Sequence, residues 1–138
     1  MPKALVVDCS MILSWCFPDE GDAESEAILE VARDMELVAP SLLNLEFVNG
    51  LIVAERRKRI TRSQFNELVT FFTDLCISFD REDPVGPESK TVELARSHSL
   101  TAYDASYLAL AVERKLPLAT HDKSLKRAAR KCRLPKLK

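Results

Sequence analysis

Four acidic side chains carry the chemistry that this sequence suggests: Asp8, Glu46, Asp104 and Asp122. Asp8 directly follows the apolar run 5–7, and Asp122 comes just after a predicted strand at 118–120. Glu46 falls in the second turn of the helix predicted after the second strand, and Asp104 in the first turn of the helix that leads into the last strand. The carboxyl ends of parallel strands share one edge, outside which ligands bind. We therefore predict that all four carboxylates lie at one edge of a sheet.

Four carboxylates in one cleft repel each other, at about 3 kcal/mol for a pair ~5 Å apart in an effective dielectric of ~20. Such a cleft needs protons or a cation. Because no histidine or cysteine pair accompanies the acids, the ligands are oxygens, which suit Mg²⁺, with Mn²⁺ as a substitute. Ca²⁺ would also bind, although the spacing has no EF-hand pattern. The sequence is equally compatible with one bound ion and with two.

Each acid also has a purely structural interpretation. Asp8 could end a strand in a turn, Asp104 could serve the cap begun by Thr101, and Asp122 could be only the N-cap of the last helix. Glu46 is harder to explain this way, because it stands in a nearly apolar half-helix, where an unpaired carboxylate is costly. The shared edge, and not any single residue, favours a site.

Short apolar runs alternate with amphipathic stretches along the first half of the chain. The pattern predicts strands at 4–9 and 37–39 and helices at 10–17 and 23–35, the latter capped by Asp22 and presenting Ala27, Ile28, Val31 and Met35 to the core. Pro40 and Ser41 are expected to open a long helix that reaches about Arg57. Thr61 and Gln64 have the form of a capping box, which starts a helix with Phe65, Leu68, Val69, Phe72 and Cys76 on its inner stripe.

The second half continues the alternation. We predict strands at 77–79 and 116–120 and helices at 88–98, 101–115 and 123–132, with residues 134–137 either forming an edge strand or fraying. No repeat or linker interrupts the 138 residues, so a single domain over 1–138 is expected. Strands alternating with helices imply a parallel sheet covered on both faces.

Composition narrows the class of protein further. No apolar run approaches the ~20 residues of a membrane span, and no signal-peptide core follows the N-terminus, so a cytoplasmic protein without membrane attachment is expected. The four cysteines form no CxxC pair and are expected to be buried free thiols. Motifs for phosphatases, P-loops, dinucleotide folds and nucleophile elbows are lacking in the sequence.

The net charge is only −1, but acidic and basic residues are distributed unevenly along the chain. Residues 19–36 hold eight acids and one base, whereas residues 123–138 hold eight bases and no acid. Two basic clusters are candidate contacts for RNA or a protein partner: Arg56, Arg57 and Arg59 in one, Lys123, Arg127 and Arg130 in the other. Solvated helix faces explain either cluster alone, but beside an acidic metal site a basic rim is a plausible phosphate track.

The sequence resembles the PIN-domain family, most closely the VapC-type toxin ribonucleases of type II toxin–antitoxin systems. The resemblance rests on Val7-Asp8-Cys9-Ser10, on Glu46 and Asn49 in one helix after Pro40, on the segment at 102–111 around Tyr103-Asp104-Ala105, and on Thr120-His121-Asp122. Each segment alone is a weak signal of the family, but all four occur in order and at family-like intervals over essentially the whole chain.

The resemblance implies a three-layer α/β/α fold around a central parallel sheet of four or five short strands. It also implies Mg²⁺-dependent endoribonuclease activity, a homodimer, and neutralisation by a cognate VapB-like antitoxin. Asp8, Glu46, Asp104 and Asp122 match the acidic set, while Ser10, Thr120 and Asn49 match accessory polar positions. We expect Asp8 to be the central ligand, and Glu46 to orient or deprotonate water or to hold a second ion.

Two alternatives remain open: a PIN nuclease of RNA maturation without a toxin role, and a non-catalytic PIN-like binding module. Partner surfaces are also undecided. Of Phe71 and Phe72, one is expected to face a partner because both rings do not fit one narrow stripe. Trp15 and Phe17 could line an antitoxin groove, although the core is favoured.

Overall fold

Short strands and helices alternate throughout the part of the chain that the computed structural model describes, residues 3–82 and 84–137. The strands are β1 (Ala4–Val7), β2 (Glu36–Pro40), β3 (Ser78–Asp80) and β4 (Leu118–Ala119). The helices are α1 (Cys9–Cys16), α2 (Ala23–Ala32), α3 (Leu43–Arg56), α4 (Arg62–Asp74), α5 (Lys90–His98), α6 (Ala102–Arg114) and α7 (Lys123–Lys131). Helices on the flanks of a central parallel sheet confirm the predicted α/β class.

The four strands form one parallel sheet in the order β3-β2-β1-β4. Val6 of β1 is paired with Val38 on one side and with Leu118 on the other, so the centre of the sheet is fully buried. The two-residue strand β4 is an outer strand. Residues 134–137 form no further strand, and Lys138 lies outside the described residues.

Helix α6 is the central helix of the fold. Its residues 105–111 are all buried, and it packs against β1, β2, β4, α5 and α7. A helix covered on most of its circumference must be apolar nearly all round, which explains its Ala-rich and Leu-rich sequence. Burial of this helix holds its N-terminus, with Asp104, in one position relative to the sheet.

Local capping signals were predicted well. Asp22 caps α2, Thr61 and Gln64 form a reciprocal capping box on α4, and Thr101 caps α6. In each case a side-chain oxygen accepts from a backbone N–H that has no partner within the helix. The helix starts are therefore confirmed at these positions.

Several predicted boundaries were wrong. Pro40 ends β2 and does not open a helix; α3 begins at Leu43, and the N–H groups of Ser41 and Leu42 before it are bound by the Asp80 carbonyl and the Glu82 carboxylate. Cys76 has a left-handed backbone (φ 52°) beyond the end of α4 and is exposed, so it is not on the inner stripe. The prediction that the cysteine thiols are buried was also wrong, since Cys9, Cys16 and Cys132 are only half-buried.

The aromatic residues divide between the core and its margin. Phe72 is buried and stacks on Phe47 with ring centroids 4.1 Å apart, while Phe71 is half-buried. Phe17 is buried, and the half-buried Trp15 donates its indole N–H to the Ser25 carbonyl at 2.9 Å. The preference for the core is therefore confirmed for Phe17, whereas Trp15 packs against the margin of the core. In the described residues, no helix has the length and apolar character needed to cross a bilayer.

Candidate active site

Asp8 is a buried carboxylate with a full set of hydrogen-bond donors. Its side chain is 4% exposed and caps α1 by accepting from the Met11 N–H at 3.0 Å. Oδ1 also accepts from the Ser10 hydroxyl at 2.8 Å, and Oδ2 accepts from the Thr120 hydroxyl at 2.5 Å. Two chain segments, the start of α1 and the end of β4, thus fix this carboxylate in place.

The Thr120 hydroxyl joins Asp8 to the beginning of α7. While it donates to Asp8, it accepts from the backbone N–H of Asp122 at 3.0 Å. Ser10 makes a parallel connection, because its hydroxyl accepts from the His121 N–H at 2.9 Å. The two accessory hydroxyls therefore lie between Asp8 and Asp122. Adjacent strands make this possible, since β1 and β4 are paired immediately before Asp8 and Thr120.

Glu46 is held by a residue from another helix. The hydroxyl of Tyr107 donates to Oε1 of Glu46 at 2.5 Å, and Tyr107 itself is 1% exposed. Glu46 stands in the first turn of α3 and is half-buried. The buried tyrosine thus gives the carboxylate of an otherwise apolar helix segment a hydrogen-bond donor.

Asp104 and Asp122 both occupy helix starts, as their structural interpretations required. Asp122 is the N-cap of α7 and accepts from the Leu125 N–H at 2.8 Å, while Asp104 lies in the first turn of α6 under the Thr101 cap. Negative charge is favourable at a helix N-terminus. These local roles do not use all of the oxygens, and both side chains remain half-buried.

The four acids influence one another electrostatically. Burial raises the pKa of Asp8, and the charge of Asp104 raises it further against the opposing hydrogen bonds of Thr120, Met11 and Ser10. Burial likewise raises the pKa of Glu46, with contributions from Asp104 and Asp8. Burial and the neighbouring Asp122 raise the pKa of Asp104. At the carboxyl edge of the sheet, Asp104 is thus within electrostatic range of Asp8, Glu46 and Asp122, and Glu46 is within range of Asp8.

A divalent cation fits this donor set in its chemistry. Three carboxyl groups with raised pKa values are costly to ionise together, and a hard cation offsets that cost. Within residues 3–82 and 84–137, however, no three His, Cys, Asp or Glu side chains form a group close enough to share one ion. Mg²⁺ commonly keeps several waters and takes only one or two protein carboxylates directly. The acids therefore suit an ion held partly through water, and no all-protein cage.

Other predicted residues lie at varying distances from the acids. Asn49 is exposed on α3, one helical turn after Glu46. Lys123 directly follows Asp122 at the start of α7, and Arg127 lies one turn further along the helix. The cluster Arg56, Arg57 and Arg59 is at the far end of α3, about 15 Å from Glu46 at 1.5 Å per residue. Of the two basic clusters, only the one on α7 thus begins beside one of the four acids.

Tyr107 is a close neighbour of the acids for which no role was predicted from the sequence. The available signal was its position three residues after Asp104, which places both on one face of a helix. A tyrosine at a core position also needs a partner for its hydroxyl. That partner could not be identified from sequence spacing, because Glu46 is 61 residues away.

Comparison with known proteins agrees with this geometry. A family model for the PIN domain matches residues 5–131, which is nearly the whole chain. The chain belongs to the PIN domain family. PIN domains are generally nucleases, which are hydrolases of phosphodiester bonds.

One solved structure similar to this PIN domain is the crystal structure of PAE2754 from Pyrobaculum aerophilum. The two chains are 25% identical and superpose with a TM-score of 0.61, over 91% of this chain and 84% of the other. Among curated protein sequences, none matches this PIN domain. The shared fold therefore rests on the family model and on structural similarity.

Proposed function

We propose that this PIN domain is a metal-dependent endoribonuclease that hydrolyses RNA phosphodiester bonds. The observation that carries the proposal is that Asp104 interacts electrostatically with Asp8, Glu46 and Asp122 at the carboxyl edge of the sheet. A nuclease fold and a set of carboxylates suited to Mg²⁺ or Mn²⁺ together support hydrolysis by activated water.

In this proposal Asp8 is the principal metal ligand. Its three donors hold both oxygens in fixed directions: Oδ1 accepts from Ser10 and Met11, while Oδ2 accepts only from Thr120 and keeps a lone pair for a cation or for water. Asp104 and Asp122 contribute beside it, directly or through water. When bound, one or two Mg²⁺ ions would lower the pKa of a coordinated water and stabilise charge on the phosphodiester oxygens.

Glu46 orients or deprotonates the attacking water. Its raised pKa makes the carboxylate a better proton acceptor than an exposed glutamate, and Tyr107 fixes its orientation. The alternative role, as a ligand to a second ion, uses the same fixed oxygen. Thr120 and Ser10 act through Asp8 and are therefore positioning residues.

The physiological role that we propose is that of a VapC-type toxin, acting as a homodimer and neutralised by a VapB-like antitoxin. The support is the sequence resemblance around the four acids. A PIN nuclease of RNA maturation and a non-catalytic PIN-like module are the alternatives.

Cleavage by the Asp8→Asn variant is the direct test. Asparagine keeps the size of the side chain and an oxygen that caps α1, so the fold is expected to persist while cleavage of an RNA transcript in Mg²⁺ is lost. Glu36→Gln is the matched control, because Glu36 is an exposed acid at the opposite end of the sheet. Full cleavage by Asp8→Asn, or by the wild type in excess EDTA, contradicts the metal-dependent mechanism.

A second measurement separates the alternatives. Sequencing the 5′ ends of RNA from cells that express the wild type or Asp8→Asn identifies the cleaved RNA. A toxin is expected to arrest growth on expression and to be rescued by its antitoxin. Cleavage confined to precursor RNA without growth arrest favours maturation, and no cleavage of any RNA favours the binding module.

A further inference from the structure

A groove of about 960 Å³ runs along the outer side of β4, between α2 and α7. Its floor is Pro117, Leu118 and Ala119, and residues 134–137 form part of its wall. The volume is within the usual range for binding clefts of proteins.

Three of the four α2 residues that line this groove were predicted from the sequence to face the core. Ala27, Ile28 and Val31 lie on one helical face, but Ala27 is exposed and the other two are only half-buried. Ala129, Leu134 and Leu137 provide apolar surface from the other side. The amphipathic stripe of α2 is thus incompletely covered by the fold itself.

The floor of the groove is an open strand edge. The carbonyls of Pro117 and Ala119 accept from the N–H groups of Val6 and Asp8 in and after β1. Because the backbone groups of successive strand residues point to opposite sides, the N–H and C=O of Leu118 face away from β1 and into the groove. Among the described residues, no further strand is paired with β4. This edge is free to accept another strand.

The rim of the groove is basic. Arg130, Arg133 and Lys136 line it, and none of the three has a carboxylate within 4 Å in the described part of the chain. Lys126 is the exception, since it bridges the groove wall to Glu24 at 3.0 Å. The rim is therefore complementary to negative charge.

We propose that this groove binds an extended segment of a partner protein in which acidic residues alternate with apolar ones, and that the segment adds to β4 as a strand. In an added strand the apolar side chains would face the α2 stripe, while the acidic ones would meet the rim. A peptide is favoured over RNA because the lining is mainly apolar, offers a strand edge and, in the described residues, contains no aromatic ring for base stacking.

The groove is distinct from the acidic edge but touches it at one residue. Thr120 lines the groove and also donates to Asp8. The proposal concerns binding and does not depend on nuclease activity, so its failure and the failure of the proposed function are measured separately.

A labelled synthetic hexapeptide, Glu-Val-Asp-Val-Glu-Ile, is the probe, and Lys-Val-Lys-Val-Lys-Ile is its charge-reversed control. Fluorescence anisotropy with the full chain is expected to show at least about tenfold tighter binding of the acidic peptide. Amide NMR spectra are expected to show slowed solvent exchange at Leu118. Equal binding of both peptides, or no binding of the acidic one, overturns the proposal.

Leu118→Pro tests the strand addition itself. Proline removes the N–H that faces the groove and keeps the carbonyl acceptors of Pro117 and Ala119, and an edge strand tolerates it. It also removes the leucine side chain, a loss that Leu118→Ala shares. We expect about a tenfold or greater loss of peptide affinity, against a smaller loss in Leu118→Ala, which keeps the N–H. Equal losses in the two variants refute strand addition.

The double variant Arg130→Glu with Arg133→Glu keeps the test decisive if Leu118→Pro does not fold. Reversed rim charge is expected to weaken binding of the acidic peptide and to favour binding of the basic one.

If an oligouridine hexamer displaces the acidic peptide and perturbs the Leu118 amide, the groove belongs to an RNA track and the proposal fails. It also fails if the groove is the contact between two copies of the chain, which sedimentation would show as a dimer that excludes the peptide.

Discussion

The hydroxyl of Tyr107 donates a 2.5 Å hydrogen bond to Oε1 of Glu46, so α6 and α3 are joined at a carboxylate. The hydrogen bond lowers the pKa of Glu46, whereas burial and the charges of Asp104 and Asp8 raise it by more. Burial and the bond to Glu46 in turn raise the pKa of Tyr107, which keeps its proton. The tyrosine is therefore a permanent donor that orients a carboxylate of elevated basicity.

Tyr107→Phe is expected to lower kcat about tenfold with little change in KM, because Glu46 loses the donor that orients it. Without that hydrogen bond the pKa of Glu46 rises further, so the acid limb of the pH–rate profile is expected to move to higher pH. Tyr103→Phe is the matched control, since Tyr103 is exposed on the same helix. An unshifted profile in Tyr107→Phe would show that the bond serves only the fold.

Thr120→Val is expected to lower cleavage by about 10- to 100-fold, the range typical for residues that orient metal ligands. Valine keeps the shape of threonine but removes the hydroxyl that donates to Asp8 and accepts from Asp122. Thr120→Ser keeps the hydroxyl and is expected to retain most activity. Single-turnover cleavage rates measure the difference, and equal loss in both variants would point to packing of the methyl group instead.

Stability is expected to respond to pH through Asp8. Because its pKa is raised in the folded chain, the folded state binds its proton more tightly than the unfolded state does. The associated stabilisation is fully present below the ordinary pKa of 3.8 and is lost as pH rises through the elevated value. Asp8→Asn has no such group.

Chemical denaturation of both proteins between about pH 4 and pH 8 measures this effect. The free energy of unfolding of the wild type is expected to fall relative to that of Asp8→Asn as pH rises. The difference between the proteins is the informative quantity, because groups such as Asp22, whose pKa is lowered by the Ser25 N–H, give the opposite slope in both. A constant difference would contradict the raised pKa of Asp8.

Mg²⁺ is expected to raise the Tm of the wild type, because a ligand of the folded state stabilises it by about 2.7 kcal/mol at 100 times Kd. Asp8→Asn and Asp104→Asn are expected to lose most of that shift, whereas Glu36→Gln is expected to keep it. Thermal melts over a range of Mg²⁺ and Mn²⁺ concentrations provide the measurement. An equal shift in all four proteins would place the ion elsewhere.

The two basic clusters are expected to differ in their effect on RNA binding. Lys123→Gln with Arg127→Gln should weaken binding of a short RNA and flatten its salt dependence, because these residues lie in the first two turns of α7, the helix that Asp122 caps. Arg56→Gln with Arg57→Gln is the matched comparison at the far end of α3. Arg59 belongs to neither test, because it is paired with Asp19 and Glu20 and lies over the Phe17 ring. Equal flattening by the two double variants would contradict a track at the acidic edge.

The sequence by itself determined the features that depend on short spacings. The capping residues Asp22, Thr61 and Thr101 could be predicted because the donor and the acceptor of each cap are three residues apart. The α/β class and the placement of the acids at strand and helix ends followed from the alternation of apolar runs. The family membership followed from the same short segments.

Only the tertiary structure decided the contacts between distant segments. Tyr107 reaches Glu46 and Thr120 reaches Asp8 because packing of α6 and pairing of β4 bring together residues 61 and 112 positions apart. Packing also left the apolar stripe of α2 partly uncovered beside β4, a result that periodicity cannot foresee, since it shows which face is apolar but not what covers it. The physical reason is that a local hydrogen bond needs only the right spacing, whereas a distant one depends on how every element between the two residues packs.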